Sequence, residues 1–497
     1  MEQIEKKCFD SEIYIKKQRE LINARMKEFG DKLYMEFGGK LFDDLHASRV
    51  LPGFDPNVQI RLLDSYKDDC EIIFVISAKD IEKNKIRADF GITYDMEVLR
   101  LIEKLRHRGL YVSAIVITLY EGEQSAQNFR AKLENMGERV FYHYFTKGYP
   151  TDVETIVSEA GYGRNPYIET TKKLVAITAP GPGSGKLATC LSQLYHEYKR
   201  GKKAGYAKFE KFPVWNLPLK HPINVAYESA TADLGDKNVI DSYHYEAYHE
   251  IAVSYNRDLE AYPVVRNILQ KITGKDIYKS PTDMGINTIA SCITDDALAQ
   301  YSAKQEIIRR YLRAKVDAKK NNTNKRVVET IRLLMNELNI TIHDRPCVKP
   351  AEEKFMKSHA PAMAIELLDG RIVTGRKTEL LSAPASAILN ALKAISNIDD
   401  SIDLIQKEVL EPIVDLRHNI FKQDNTNLTL KETLVALCIS ANFNKNAKIA
   451  YDNLKYLRGC NAHSTHILTP NNEENLRNLG LNLTCGDRFL VGNLFDM

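Results

Sequence analysis

The stretch from Leu174 to Gly201 constrains the local chain path more than any other. Leu174-Val175-Ala176-Ile177-Thr178 is short, apolar and rich in β-branched residues, so it reads as a buried strand. Leu187, Leu191, Leu194, Tyr195 and Tyr198 then recur at helical spacing until Lys199-Arg200-Gly201 supplies a C-terminal stop. The join between strand and helix is the Gly/Pro-rich segment TAPGPGSGKLAT, Thr178 to Thr189. A strand, tight loop and helix in that order aim backbone N–H groups and the positive end of a helix dipole at one point, where a phosphate or carboxylate is favoured.

The loop approaches a Walker A motif and departs from it at two places. In GxxxxGK(S/T) the first glycine makes the turn, the lysine meets the outer phosphates and the hydroxyl holds magnesium. Gly185-Lys186 match, but Pro180 occupies the first glycine's position and Leu187 replaces the hydroxyl residue. The expected cofactor-binding residues are therefore Gly181, Gly183, Ser184, Gly185, Lys186 and Thr189, with Lys186 neutralising phosphate charge. The ligand is either ATP or another nucleotide, its magnesium held by carboxylates elsewhere, or a phosphate ester bound without metal. The plainer alternative is a glycine-rich turn that packs a helix on a sheet.

The chain around this loop alternates strand and helix patterns. Lys32–Phe37, Ile72–Ser77, Val112–Thr118 and Arg139–Phe145 read as strands, and Val98, Leu99, Ile102 and Leu105 as one face of a helix opened by Asp95 and ended by Gly109. Alternation with nearly continuous apolar strands predicts an α/β fold: a parallel, doubly wound sheet of Rossmann-like or P-loop-like type, with helices on both faces. Ligands in such sheets sit at the carboxyl ends of the strands, which adds Gly38, Gly39 and Lys40 to the expected binding residues.

A second apolar run, Ile289–Thr294, closes on Asp295-Asp296 and resembles the acidic end of a Walker B strand; a helix N-cap explains the same pair. Asp295 and Asp283 are the expected magnesium-holding or base carboxylates. His463 and His466, three apart, offer acid–base chemistry or two metal ligands, with no third ligand nearby and the metal unknown. Thr374–Thr378 followed by Ser382–Ser386 at a helix start is a second candidate anion cradle, or an ordinary hairpin-to-helix connection.

At 497 residues the chain exceeds one hydrophobic core. The expected divisions are 1–168, an N-terminal α/β domain; 169–340, an α/β region that holds the loop and is potentially continuous with the first; and 341–497, a mostly helical α+β domain. The last opens with Met363–Leu368 and Arg371–Thr374 flanking Asp369-Gly370, a strong hairpin signal. Helical periodicity follows over Ala385–Ala394, Ile402–Phe421 and Leu430–Leu457, a composition suited to a homo-oligomer interface.

Sixty-nine Lys+Arg against 66 Asp+Glu leave a net charge of +3, which gives no global attraction to nucleic acid. No run reaches the roughly 18 apolar residues of a membrane span. The first residues, MEQIEKKCFDSEIY, lack an apolar signal core, and the eight cysteines are scattered without a CxxC pair. A cytoplasmic protein with reduced thiols and a small-molecule phosphate or carboxylate ligand is expected.

The blocks YMEFGGKLFDDLHASRVLPGFDP, TKGYPTDVETIVSEAGYGRNPYIETTK, TAPGPGSGKLATCLSQLYHEYKRGKKAGYAKFE and YKSPTDMG resemble a bacterial family of uncharacterised proteins, a domain of unknown function. The resemblance runs nearly end to end and implies a cytosolic protein, with no settled activity or catalytic residue. Some members have carried an ATP-dependent zinc protease label. HExxH is absent here, since His196-Glu197 and His249-Glu250 lack the second histidine, so a zinc protease is not expected. The expected activity is a phosphate- or nucleotide-dependent transferase or hydrolase. The alternatives are an enzyme acting without nucleotide on a phosphorylated or carboxylated metabolite, and a non-enzymatic ligand-binding or assembly protein.

Overall fold

The computed structural model describes residues 6–30, 32–87, 91–320, 323–422 and 427–490. They form two compact units, one of Lys7–Ala303 and one made chiefly of the chain from Lys304 onward.

The first unit is built on a seven-stranded sheet in which every neighbouring pair is parallel. Its strands are β1 (Leu33–Phe37), β2 (Cys70–Ser77), β3 (Tyr111–Tyr120), β4 (Val140–Tyr144), β5 (Leu174–Thr178), β6 (Gly205–Phe209) and β7 (Gly285–Ile286), in spatial order β7-β6-β1-β5-β2-β3-β4. The helices of this unit include α1 (Ser11–Glu28), α2 (Tyr94–His107), α3 (Gln124–Asn135), α4 (Lys186–Lys199) and α5 (Asn256–Thr273). Every residue of β2 and β5 is buried, which requires cover on both faces and explains their unbroken apolar sequences. The one carboxylate in β2, Glu71, is spent at once: it accepts from Thr171 N at 2.7 Å and Lys172 N at 2.9 Å.

Strands from before and after residue 168 share this sheet, with β5 in the middle. From β1 the chain passes to β2, then outward to β3 and β4; after β5 it returns across β1 to β6 and β7. The connections that leave the neighbours β5 and β2 thus run to opposite sides, which opens a crevice at their carboxyl ends.

Two local expectations change. The run Ile289–Thr294 is a single 3₁₀ turn, Ala290–Cys292, in place of a strand. Side chains hold it curled: Asn287 Oδ1 accepts from Ile289 N at 2.9 Å and the Ser291 hydroxyl donates to Thr288 O at 2.8 Å. Helix α2 starts at Tyr94 with Thr93 at its N-cap, so Asp95 sits in the first turn, where its charge suits the dipole.

The chain continues through α6 (Asp296–Lys319) and α7 (Lys325–Glu337). In the second unit, α8 (Val348–Ser358) precedes the hairpin of β8 (Ala362–Glu366) and β9 (Ile372–Arg376), whose turn carries Gly370 at φ 87°. Then come α9 (Ala383–Ser396), α10 (Lys407–Asp415), α11 (Leu430–Ser440), α12 (Lys445–Asp452), β10 (Asn461–His466), α13 (Pro470–Asn478) and β11 (Asn482–Arg488). The sheet order is β9-β8-β10-β11, antiparallel except for β10 with β11. Ala387, Ile388, Ala391 and Leu392 of α9 share a core with Met363 and Ile365 of β8. The long apolar periodicity from Leu430 is broken at Asn444, whose side chain accepts from Asn446 N and Ala447 N and starts a new helix.

All eight cysteines are free thiols, six of them buried. No helix among the described residues is long and apolar enough to cross a membrane.

Candidate functional site

The loop between β5 and α4 lies at the crevice that the strand order creates. Gly183 and Gly185 take φ of 73° and 87°, the left-handed region that only glycine enters freely, and Gly185 is the N-cap of α4. Ser184 is fully buried: its carbonyl accepts from the Thr118 hydroxyl of β3 at 2.7 Å, and its own hydroxyl donates to Gly181 O at 2.9 Å. A Cβ on Gly181 would lie 2.3 Å from the Tyr94 hydroxyl, so α2 closes on the loop at that point. The first intrahelical bond of α4 is Thr189 N to Gly185 O at 3.0 Å. The N–H groups of Lys186, Leu187 and Ala188 therefore have no partner within the helix, and Gly185 has no side chain to cap them. A rigid turn thus presents uncapped donors beside a lysine, an arrangement suited to an anion.

Lys186 points toward the end of β1. Its ammonium stands 3.9 Å from Glu36 Oε1, with the two side chains 14% and 12% exposed. The other oxygen, Glu36 Oε2, accepts from the Tyr206 hydroxyl of β6 at 2.9 Å. Glu36 is the penultimate residue of the strand adjacent to β5, the position at which a Walker B carboxylate stands relative to its loop. Two residues on, Gly38 N donates to Phe209 O at 2.9 Å, and a Cβ there would come within 3.0 Å of that oxygen, so a glycine is needed to bring β1 against the end of β6. Gly39 sits beside Lys211, which forms a buried ion pair with Asp44, and Lys40 follows directly.

The end of β6 adds more charge. Lys208 donates to Asp258 Oδ2 at 2.6 Å and lies 2.7 Å from Glu210 Oε1. Burial works against the Lys208 ammonium, but Glu210 and Asp258 outweigh it and hold its pKa above the ordinary lysine value. Although a quarter of the Glu210 side chain remains open, burial of the carboxyl pushes it up to about 7, with Asp258 adding repulsion and Lys208 opposing. Two ammonium groups and three carboxylates from β1, α4, β6 and α5 are thereby gathered at one edge of the sheet, and one of the carboxyls is poised to exchange a proton near neutral pH.

The structure thus brings together Gly181, Gly183, Gly185, Lys186, Gly38 and Gly39. Thr189 is buried inside α4 with its hydroxyl on Gly185 O, and the Ser184 hydroxyl faces inward, so neither offers a hydroxyl proton to a ligand. Asp295 accepts from Leu298 N at 3.0 Å and caps α6; Asp296 meets His221 Nε2 at 3.1 Å. With no strand before them, the Walker B reading of Asp295 loses its basis, and the N-cap explanation accounts for it. Asp283 accepts from the Tyr248 hydroxyl at 2.9 Å and Lys279 N at 2.8 Å, which ties down a turn. His463 is buried in β10 with Nδ1 3.0 Å from the Thr484 hydroxyl, and burial pushes its pKa down to about 3. His466 is engaged with Thr465 Oγ1 at 2.9 Å, and burial lowers it too. Among the described residues no group of three or more His, Cys, Asp or Glu could hold a metal ion. Sequence reasoning missed Glu36, Thr118, Tyr206, Lys208, Glu210 and Asp258. Only Glu36 left a local signal, a carboxylate inside an apolar run just before a double glycine.

Comparison with known proteins matches residues 7–339 to the model "Domain of unknown function DUF1846, N-terminal" and residues 343–495 to its C-terminal counterpart. A UPF0371 protein of Clostridium tetani (strain Massachusetts / E88) is 52% identical over 496 residues, covering 98% of this chain and 99% of that one. UPF0371 proteins of Clostridium botulinum strains Kyoto / Type A2 and Alaska E43 / Type E3 are 52% and 51% identical over the same coverage.

Proposed function

This chain belongs to the DUF1846 family, whose description assigns no activity, and we propose from the site geometry that it is an enzyme acting on a phosphate-bearing small molecule. The observation that carries the reading is the Lys186–Glu36 pair at the uncapped start of α4. The first-turn N–H groups and Lys186 receive the phosphate, and Glu36 either holds magnesium against it or orients the attacking group. With ATP or another nucleotide the chemistry is phosphoryl transfer, the metal completing its shell with phosphate oxygens and water, which suits a site with few protein carboxylates.

A second form of the reading uses no nucleotide: the loop grips the phosphate or carboxylate of a metabolite while carboxyls of the β1–β6 edge do acid–base work. Leu187 in place of the hydroxyl residue and the inward-turned Ser184 hydroxyl favour it.

Calorimetry with ATP, GTP and a panel of sugar phosphates, with and without magnesium, on wild type and Lys186→Ala tests both. Binding that survives the substitution unchanged removes Lys186 from the site. Binding of sugar phosphates without ATP selects the second form.

A further inference from the structure

The second unit contains a cavity of about 1510 Å³ between α9, the β9 end and α10, larger than the roughly 300–1,000 Å³ of ordinary small-molecule sites. One helix face forms part of its lining. Ser386, Leu389, Asn390 and Lys393 recur at helical spacing along α9 and all border the cavity, whereas the remaining face of α9 is Ala, Ile and Leu in the core. The polar members of this face call for partners: Asn390 donates to Thr374 O at 3.0 Å, whereas Ser386 and Lys393 are not fully answered within the protein. Ser386 is 9% exposed and its hydroxyl has no hydrogen-bond partner. Lys393 is 8% exposed; its ammonium donates to Asp400 O at 2.8 Å, and among the described residues no carboxylate lies within ion-pairing distance of it. The exposed Asp399 carboxylate feels the Lys393 charge without forming an ion pair, so the buried ammonium has one carbonyl partner and donors left for an anion.

The opposite walls are aliphatic: Leu380, Leu381, Leu404, Ile405, Leu410 and Val414. The cavity's own carboxylates, Asp403, Glu408, Glu411 and Asp415, are exposed, and Glu411 is paired with Lys407 at 3.1 Å. The exposed Arg376 adds a cation at the end of β9. Negative charge is thus carried on the exposed side, and an ammonium without an ion-pair partner is buried on α9.

We propose that this cavity binds an amphiphilic organic anion, with a carboxylate or phosphate head at Lys393 and an apolar body along the aliphatic wall. Ser386 lies about 10 Å from Lys393 along the helix and meets a second acceptor on the body. This site is independent of the β5–α4 loop.

The test is calorimetry on the full chain with decanoate and decyl phosphate, and with decanol and inorganic phosphate as single-feature controls. At least one of the two anionic amphiphiles is expected to bind saturably, at least about tenfold more tightly than either control. The two anions separate a fatty acid from a phosphorylated lipid as the source of the head group. Lys393→Met is expected to weaken that binding by about tenfold or more and to leave decanol unaffected. Because Lys393 also ties down Asp400, Val414→Asp is the second variant: it puts a charge on the wall from α10, at a half-buried position outside the core of this unit, and is expected to abolish binding of both anions with an unchanged melting curve. Lys186→Ala is expected to leave the decanoate and decanol titrations unchanged. Absence of saturable binding by both amphiphiles, decanol binding as tightly as the tighter of the two anions, or full binding in Val414→Asp overturns the proposal.

Discussion

Replacing Glu36 with glutamine separates the metal-assisted form of the proposed chemistry from the metal-free one. Lys186 Nζ and Glu36 Oε1 are 3.9 Å apart and both groups are largely buried. Two unit charges at that separation attract by about 4 kcal/mol in a partly screened site, before desolvation takes its share. In the free protein Glu36 therefore competes with any incoming anion for Lys186, and it repels a phosphate seated at the start of α4. Glutamine keeps an acceptor for the Tyr206 hydroxyl and removes the charge. Allowing for screening, the gain for a phosphate ester bound without metal is about 1–2 kcal/mol, or roughly 5- to 30-fold tighter binding. With magnesium and ATP the sign reverses: a carboxylate that holds the metal cannot be replaced by an amide without a loss of about tenfold or more. The assay is calorimetry of wild type and Glu36→Gln with a sugar phosphate and with ATP, each with and without magnesium, with urea melts as the check on folding. Affinities equal within about twofold in every arm refute the placement of Glu36 at the site.

Three further outcomes follow from the geometry. Gly185→Ala forces a Cβ into the left-handed region and to 3.0 Å from the Thr118 hydroxyl; it is expected to cost about 1–2 kcal/mol in urea unfolding and to weaken phosphate binding as the turn shifts. His463 has its pKa lowered to about 3, so its stabilising contribution is complete above pH 6.5 and is lost as pH falls from 6.5 toward 3; His463→Gln is expected to flatten the acid limb of stability against pH, by at most about 1.4 kcal/mol per pH unit. Burial raises Glu210, the opposite sense: its contribution is full below the ordinary carboxylate range and lost as pH rises toward neutrality, so Glu210→Gln is expected to gain stability relative to wild type between pH 5 and pH 8, read from urea midpoints.

Most of the fold is written in local patterns, and the exceptions have local causes. Strands β2, β3 and β5 are nearly unbroken apolar runs, buried along almost their whole length, so nothing interrupts the signal. The β8–β9 hairpin announces itself through Asp369-Gly370. Strand β6 was hidden because Lys208 sits inside its five residues, and only the carboxylates of Glu210 and Asp258 make that lysine tolerable there. Glu210 stands two residues away, but Asp258 lies 50 residues on, so a window around Lys208 contains only half of the reason for it. The run Ile289–Thr294 has the opposite fault: strand-like composition, curled by side-chain bonds from Asn287 and Ser291 that a periodicity count does not weigh.

The same distinction decides which carboxylates belong to the site. Asp295 and Glu36 both stand near the end of an apolar run, and by local pattern Asp295 is the stronger Walker B candidate, because a long helix follows it. The structure reverses the ranking through strand order alone. Asp295 follows a 3₁₀ turn and spends its oxygen on Leu298 N, whereas Glu36 ends a strand that pairs in parallel with β5 and so meets the lysine of the β5–α4 turn. Burial is not the criterion, since Glu71 is deeper than Glu36 but lies near the start of its strand and is consumed by two backbone N–H groups. What distinguishes Glu36 is a carboxyl-end position, an adjacent phosphate-type turn and one oxygen whose partner is a side-chain ammonium and not backbone. A carboxylate meeting those three conditions can exchange its partner when an anion or a metal arrives, and Glu36 is the one to which the loop points.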